Sequence, residues 1–468
     1  MKASTNSLWS VLIITVMLVT TMIGCSDSIS TNDERTTLDR LAAPSKVQFA
    51  NLINVQPADS DDDEGEDDEG EDDEGDEDDD DENDEGQASA AYNTQLIMGL
   101  SEPVLTANRL LKRYGLMTGF RLLKRYDGAL EIPYGIVGEF ADTEWDDIET
   151  EEEFEFALAD ILDELELDDD VQWVEPDILL LEPLITPSFE LAEGQHTPWN
   201  IDYVGKASGN FDDVDLYLLD SGIYSEDLNV IEELDFVGDL ESGGAKAHGY
   251  HIAGTLAAVD NNSGVVGIAP GARVHSFRVL DNYGATTTST VVAALDEIIS
   301  RKNANPAQPI VISMSFGGNT GSSDYTILDE TVEAAVAAGI VVVVAAGNEG
   351  VDVATVTPAH AEAALTVGSF GASDAFSYFS NHGALIDILA PGEDILSLES
   401  AEGSGAIQLS SRSGTSMAAP HVAGVAVAYL QANPAATPAE VRAALISSAS
   451  ATISSVPTGT TNLAVQLN

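Results

Sequence analysis

Three short stretches hold the residue types that nucleophilic catalysis needs: L-L-D-S-G-I at 218–223, H-G-Y-H-I-A-G-T at 248–255 and S-G-T-S-M-A-A-P-H-V-A-G at 413–424. They offer Asp220, His248 and Ser416 in that order, each among glycines and small residues. A serine hydroxyl is a poor nucleophile at neutral pH and needs an adjacent base to take its proton. His248 is the candidate base, and afterwards the acid that protonates the leaving amine. Asp220 would hold the imidazole in the useful tautomer and stabilise the imidazolium as it forms. Taken singly, each residue has a plainer reading, since a serine ahead of a helix is often only its cap.

Order and wording together carry more than the residue types. Asp, then His, then Ser along the chain is the subtilisin order. With these three motifs, and V-V-A-A-G-N-E-G at 343–350, the chain resembles the subtilisin-like serine peptidases. The resemblance implies that Asn348 donates its side-chain amide to an oxyanion hole. It implies that S-F-G, residues Ser315, Phe316 and Gly317, forms an edge that pairs with a substrate backbone, facing a pocket wall of Ala345, Ala346 and Gly347. Edge pairing gives affinity with little demand on sequence, so broad specificity toward polypeptides is expected. His251 and His421 also fall inside the motifs and read as structural, because the family's base is the first His of its H-G-x-H pair. Tyr250 departs from the usual Thr beside that base.

The resemblance also implies a structural calcium ion and no catalytic metal. A-A-V-D-N-N-S-G-V-V-G-I-A-P at 257–270 matches the family's calcium loop. Carried over, Asp227 and Asn261 would supply side-chain oxygens and Val259, Ser263 and Val265 carbonyls, an oxygen-only set that suits calcium. The plain alternative is a turn that ends a helix.

These residues require a scaffold, and the sequence outlines one. Apolar runs at 214–220, 273–280, 310–316, 340–346, 364–370 and 386–389 alternate with helical patterns at 290–299, 329–338 and 417–430. Unbroken apolar strands alternating with helices predict an α/β fold, a parallel sheet covered by helices on both faces. Asp220 and Asn348 then fall at carboxyl ends of strands, where sites of such folds sit. T-P-A-E at 437–440 marks the start of a last helix, a cap with Pro at its first position.

The N-terminal part has a different character. Lys2 followed by apolar Leu8–Ile23 reads as a signal peptide over 1–24, too short for a confident membrane span. M-I-G-C at 22–25 resembles a bacterial lipoprotein signal with Cys25 as the lipidated residue, although Met22 replaces the usual Leu. The alternative is a plain secretory signal with an incidental Cys. Ser26 after the Cys favours the outer membrane, and Cys25 is the only cysteine, so no intramolecular disulfide is possible. Residues 25–89 hold the lipidated start and an acidic tract, densest at 59–86. Like charges at that density cannot bury a core, so the tract reads as an extended spacer, or else as a low-affinity calcium collector. Over the whole chain of 468 residues, 81 Asp and Glu against 18 Lys and Arg give a net charge of −63. That balance argues against nucleic acid as a partner.

Residues 90–190 read as a small α+β module. R-L-L-K-R-Y occurs at 109–114 and again at 121–126, too short a repeat for a solenoid. Thr150 with Glu153 signals a capping box ahead of an amphipathic helix over 154–165, followed by a strand at 171–177. That helix, turn and V-E-P-D ending resemble the close of a subtilisin propeptide, which implies an intramolecular chaperone and inhibitor. Residues 191–468 form the peptidase-like domain. The expectation is a lipid-anchored zymogen of the bacterial envelope whose processed monomer is freed to the outside. The rival readings are a catalytically silent envelope lipoprotein that binds peptides, and a calcium-buffering surface protein.

Overall fold

The computed structural model describes residues 178–181, 194–238, 246–399 and 407–467, together with the backbone of strands at 53–54, 91–92, 95–100, 121–126, 134–139, 171–176 and 188–191. The signal segment, Cys25, the acidic tract, the first R-L-L-K-R-Y copy and the helix expected over 154–165 lie outside the described residues.

The four later N-terminal strands, β1 (Gln95–Leu100), β2 (Arg121–Tyr126), β3 (Tyr134–Glu139) and β4 (Val171–Pro176), form an antiparallel sheet in the order β2-β3-β1-β4. The second R-L-L-K-R-Y copy is β2, so it serves as an edge strand. Two short strands follow, β5 (Leu179–Leu181) and β6 (Ser188–Leu191).

The main sheet has nine strands: β7 (Asp215–Asp220), β8 (Asn229–Asp235), β9 (Arg273–Arg278), β11 (Ile310–Met314), β12 (Val341–Ala345), β13 (Leu365–Phe370), β14 (Ile388–Pro391), β17 (Ser450–Ala451) and β18 (Leu463–Ala464). Their spatial order is β8-β9-β7-β11-β12-β13-β14-β18-β17. All neighbours are parallel except β17, which pairs antiparallel with β18 at the edge. The sheet runs outward from β7 in both directions, so Asp220 stands at the topological switch point. The antiparallel edge strand is a departure from the all-parallel expectation. The hairpin from β17 to β18 needs no helical crossover, which leaves it free to run back.

Alternation along the strands sorts side chains into two cores. Leu216 and Leu218 of β7, with Val341, Val343, Leu365 and Val367, face helices α2 (Ala247–Ala257) and α5 (Thr415–Ala432). Tyr217 and Leu219, with Ile312, Met314, Val342 and Val344, face α3 (Thr288–Ala304) and α4 (Ile327–Ala337). Burial on both sides is why these strands lack the polar alternation of a half-exposed sheet. The chain closes with α6 (Pro438–Ser448), whose Thr437 cap and Glu440 form the expected capping box. Outside the main sheet lie β10 (Ala285–Thr287), which pairs with β5, and the hairpin β15 (Ile395–Glu399)–β16 (Gln408–Arg412), which takes β6 as a third strand. No helix among the described residues is long and apolar enough to cross a membrane.

Observed boundaries differ from the apolar runs by one or two residues. The run at 386–389 becomes a strand at 388–391, because β14 pairs its last residue, Pro391, with Phe370. α5 is longer than expected at both ends, 415–432 rather than 417–430, since its first turn is built from the small polar residues of the serine motif.

Candidate active site

Asp220 is the last residue of β7, and the neighbouring strand β11 runs on into Ser315. Leu219 pairs with Met314, so Asp220 and Ser315 lie side by side at one end of the sheet. His248 is the second residue of α2, and its Nδ1 lies 2.8 Å from Asp220 Oδ1 with both side chains buried. Asp220 Oδ1 also accepts from the backbone N–H of Ser221 at 2.7 Å. With the carboxylate as acceptor, Nδ1 carries the proton and donates, which leaves Nε2 as the basic nitrogen. Gly249 allows this approach. A Cβ there would overlap the Gly222 carbonyl and come within 3.1 Å of Asp220 Oδ1. Its N–H is held by Ser221 Oγ at 3.0 Å, which pins the start of the helix to the end of the strand.

Ser416 is the second residue of α5, its side chain 1 % exposed. Its Oγ donates to the Ser315 carbonyl at 2.9 Å, and Ser315 Oγ donates in return to the Ser416 carbonyl at 3.0 Å. The second bond has a reason in the sequence. Pro420 sits four residues on inside α5 and has no N–H to give the Ser416 carbonyl. Leaving that buried acceptor bare would cost about 1–3 kcal/mol, and the Ser315 hydroxyl supplies the missing donor. Ser315 was expected only at a substrate edge, so this role is an addition.

Asn348 follows β12 by three residues. Its Oδ1 accepts from Thr415 N at 2.8 Å and from Thr415 Oγ1 at 2.9 Å, which fixes the orientation of the amide. Its Nδ2 is buried and has no partner among the described residues. A Cβ on Gly414 would lie 3.3 Å from that nitrogen, so the donor is beside the backbone that leads into Ser416. A buried donor with no acceptor is costly and usually marks a place where something else binds. Thr415 was not singled out from sequence; it orients Asn348 and holds the Gly347 N–H at 3.0 Å.

The other two motif histidines are buried and neutral. His251 Nε2 meets the carbonyls of Ile395 at 2.9 Å and Ser410 at 3.2 Å, and burial holds its pKa well below the ordinary value. His421 bonds Met417 O at 2.9 Å and Asn200 Nδ2 at 2.8 Å, with its pKa lowered by burial to about 4. The departure at Tyr250 is accommodated: its hydroxyl donates to the Glu226 carbonyl at 2.7 Å, its ring meets Tyr224 edge-on, and burial raises its pKa.

The edge expected at Ser315, Phe316 and Gly317 carries a segment of the chain itself. Leu181 N–H donates to Gly317 O at 3.2 Å and Gly317 N–H to Leu181 O at 3.5 Å, an antiparallel bridge. On its other side β5 pairs with β10, Thr286 opposite Leu180. Sequence reading missed β10 because three residues without a long apolar run give no periodic signal. Ala345 closes β12 in the buried core, and Ala346, also buried, and Gly347 follow it.

The loop residues expected around a cation also come together. Asp227 Oδ1 accepts from Asn261 Nδ2, and Asn261 Oδ1 accepts from Ser263 N at 2.7 Å. Asp227 Oδ2 is buried without a partner among the described residues, and burial raises the pKa of this carboxyl to about 6. A Cβ on Gly264 would come within 2.5 Å of that oxygen. The carbonyls of Val259 and Val265 converge on one side-chain amide, that of Gln195, at 2.8 and 3.3 Å. Gln195 was not expected here. The signal is tertiary: residues 195–196 pair in parallel with 264–265. Among the described residues no group of three His, Cys, Asp or Glu side chains is arranged to hold a metal ion. The donor set is therefore one carboxylate with neutral oxygens, which fits a hard cation and not a soft one.

Comparison with known proteins completes the picture. Residues 219–466 match the peptidase S8 model, the subtilase family. The chain belongs to the subtilase family. Alkaline serine exoprotease A of Vibrio alginolyticus is 34% identical over 305 residues, 62% of this chain and 53% of that protein. Subtilisin E of Bacillus subtilis is 40% identical over 245 residues, 50% of this chain and 60% of that protein. An extracellular serine proteinase of Thermus sp. (strain Rt41A) is 39% identical over 244 residues, 50% of this chain and 54% of its own length. The chain thus spans little more than half the length of these curated relatives. A crystal structure of a cold adapted subtilisin-like serine proteinase superposes with a TM-score of 0.51 at 32% identity, covering 58% of this chain and 98% of that one. The subtilisin-like α/β fold expected from sequence is the fold observed.

Proposed function

We propose that this subtilase is a serine endopeptidase that cuts polypeptides through an acyl-enzyme on Ser416. The observation that carries the reading is the pairing of a buried Asp220–His248 contact with an unsatisfied Asn348 amide beside Ser416. In the reaction Ser416 Oγ leaves the Ser315 carbonyl and donates its proton to His248 Nε2 as the oxygen attacks the substrate carbonyl. Asp220 holds Nδ1–H and stabilises the imidazolium. The developing oxyanion is met by Asn348 Nδ2 and by N–H groups at the start of α5, where the helix dipole also favours negative charge. His248 then protonates the leaving amine, and water repeats the sequence to release the acid. A fluorophosphonate probe tests this: it should label the purified protein and fail to label Ser416→Ala. An unlabelled native protein, correctly folded and processed, would sink the reading and favour the silent peptide-binding lipoprotein.

The bridge from Leu181 to Gly317, with the pairing of β5 on β10, supports two further parts of the reading. The 315–317 edge accepts an extended peptide, and the stretch following the N-terminal module covers it, as an inhibitory propeptide must. Asp227, Asn261, Gln195 and the carbonyls of Val259, Ser263 and Val265 would hold a structural calcium ion. Bound there, calcium would neutralise a partly buried carboxylate and tie residue 195 to the loop. Secretion completes the proposal, with lipid on Cys25 holding the precursor at the envelope and processing freeing the peptidase. Cell fractionation with detection of the C-terminus reads this. A processed form that stays with membranes after a high-salt wash would contradict it.

A further inference from the structure

β5 and β6 follow each other in the chain with six residues between them, and each lies on a different edge near Ser416. The edge 315–317 begins at Ser315, whose carbonyl takes the Ser416 hydroxyl. β5 is antiparallel to that edge, so its chain direction leads toward Ser416. β16 runs the other way, ending at Arg412 and passing through Ser413 and Gly414 into α5. β6 is antiparallel to β16, with Ser188 opposite Ser411 and Leu191 opposite Gln408, so its direction leads away from the nucleophile. A peptide laid in the sense of β5 and carried past Ser416 therefore emerges along β16. That strand has two edges. One is bonded to β15, and the chain's own β6 takes the other over four residues.

We propose that β6 stays with the peptidase unit after processing and acts as a length stop on the leaving-group side. The proposal rests on the Ser416 reading above. With β6 docked, Arg412 and Ser413 are what remains of this edge for the substrate residues after the scissile bond. Backbone pairing is the main source of affinity for an extended peptide. A longer leaving segment would gain nothing from the rest of β16 and would have to turn away from it. The plainer role for β6 is to cover an edge strand, and such a cover would not change how rate depends on peptide length.

The test uses the full chain, allowed to process, and a set of fluorogenic peptides with the same acyl side and one, two, four or six residues after the scissile bond. In the native protein kcat/KM should rise to two residues and then level. Phe189→Pro and Glu190→Pro break the ladder selectively, because only alternate N–H groups of an edge strand face its partner. In whichever loosens β6, the six-residue peptide should gain about fivefold or more relative to the two-residue one. Should both variants fail to fold, the native length profile still decides: a rate that keeps rising to six residues overturns the proposal. N-terminal sequencing of the processed protein must start at or before Ser188, and a start beyond Leu191 overturns it as well. Fluorophosphonate labelling of the same preparation separates the failures. An unlabelled protein sinks the Ser416 reading together with this one, whereas labelling with a rising length profile sinks this one alone.

Discussion

Two carboxylates, buried Asp220 and partly buried Asp227, lie seven positions apart; each has an Oδ2 without a partner among the described residues, and they differ in what meets Oδ1. Asp220 gives one oxygen to two N–H donors, a backbone amide and the His248 imidazole. Asp227 Oδ1 receives a single neutral amide, from Asn261, and in the same loop the Val259 and Val265 carbonyls share the Gln195 amide. Burial pushes the Asp227 pKa up to about 6. The first carboxylate is paired with an imidazole, a group that can become a cation; the second has no cationic side-chain partner, and on the proposed reading calcium would supply the positive charge. The proposed roles, chemistry at one and structural ion binding at the other, would follow from what surrounds the same side chain.

The sharpest way to break this contrast is at the reactive corner. Ser416→Ala should lower kcat by about 10⁶-fold, the scale known for removing the nucleophile of subtilisin, with calcium-dependent stability intact. Next comes Asn348→Ala, which should lower kcat by roughly 100–1000-fold with little change in KM, again the scale known for the corresponding donor in subtilisin. An equal loss in KM would mean that Asn348 binds ground state and transition state alike.

Asp227 gives a pH signature. Its folded pKa lies above the unfolded value of 3.8, so folding favours the protonated form. That contribution is complete below about pH 4 and is lost as pH rises through about 6. The metal-free protein should therefore weaken over that window, and added calcium should raise Tm more at pH 8 than at pH 5, by roughly 5 °C or more at the higher pH. Asp227→Asn should abolish the difference, as read by thermal unfolding with calcium or chelator. The smallest effect belongs to a site remote from both carboxylates. Thr437→Ala removes the α6 cap and should cost about 1 kcal/mol in urea unfolding with no change in fluorophosphonate labelling rate.

Much of this site is legible in the chain because its parts are local words. H-G-x-H reads as holding the base through the family resemblance, the structure giving its glycine a reason in the close approach of Gly249 to the Asp220 turn, and S-G-T-S-M announces a serine at a helix start. The parts that escaped reading are those whose partners are remote. Gln195 finds the 257–270 loop by pairing with residues 264–265, and Ser315 finds Ser416, 101 positions away, where Pro420 leaves the Ser416 carbonyl without an N–H. Neither leaves a periodic or compositional trace. The edge strand β17 and the short β10 escaped for a related reason, being two and three residues long.

The sequence alone determined which atoms are available: one Asp, His and Ser in a recognisable order, apolar strands that can be buried on two faces, and a loop rich in oxygen donors. Local propensity and spacing decide such matters, and they need no knowledge of what lies opposite. Only the tertiary structure decided where those atoms meet. It set Asp220 beside Ser315 through the β7–β11 register, turned the Asn348 amide by anchoring its oxygen on Thr415, and laid β5 and β6 along the edges on either side of Ser416. Hydrogen bonds between distant backbone segments have no sequence code of their own, because every residue but proline carries the same donor and acceptor.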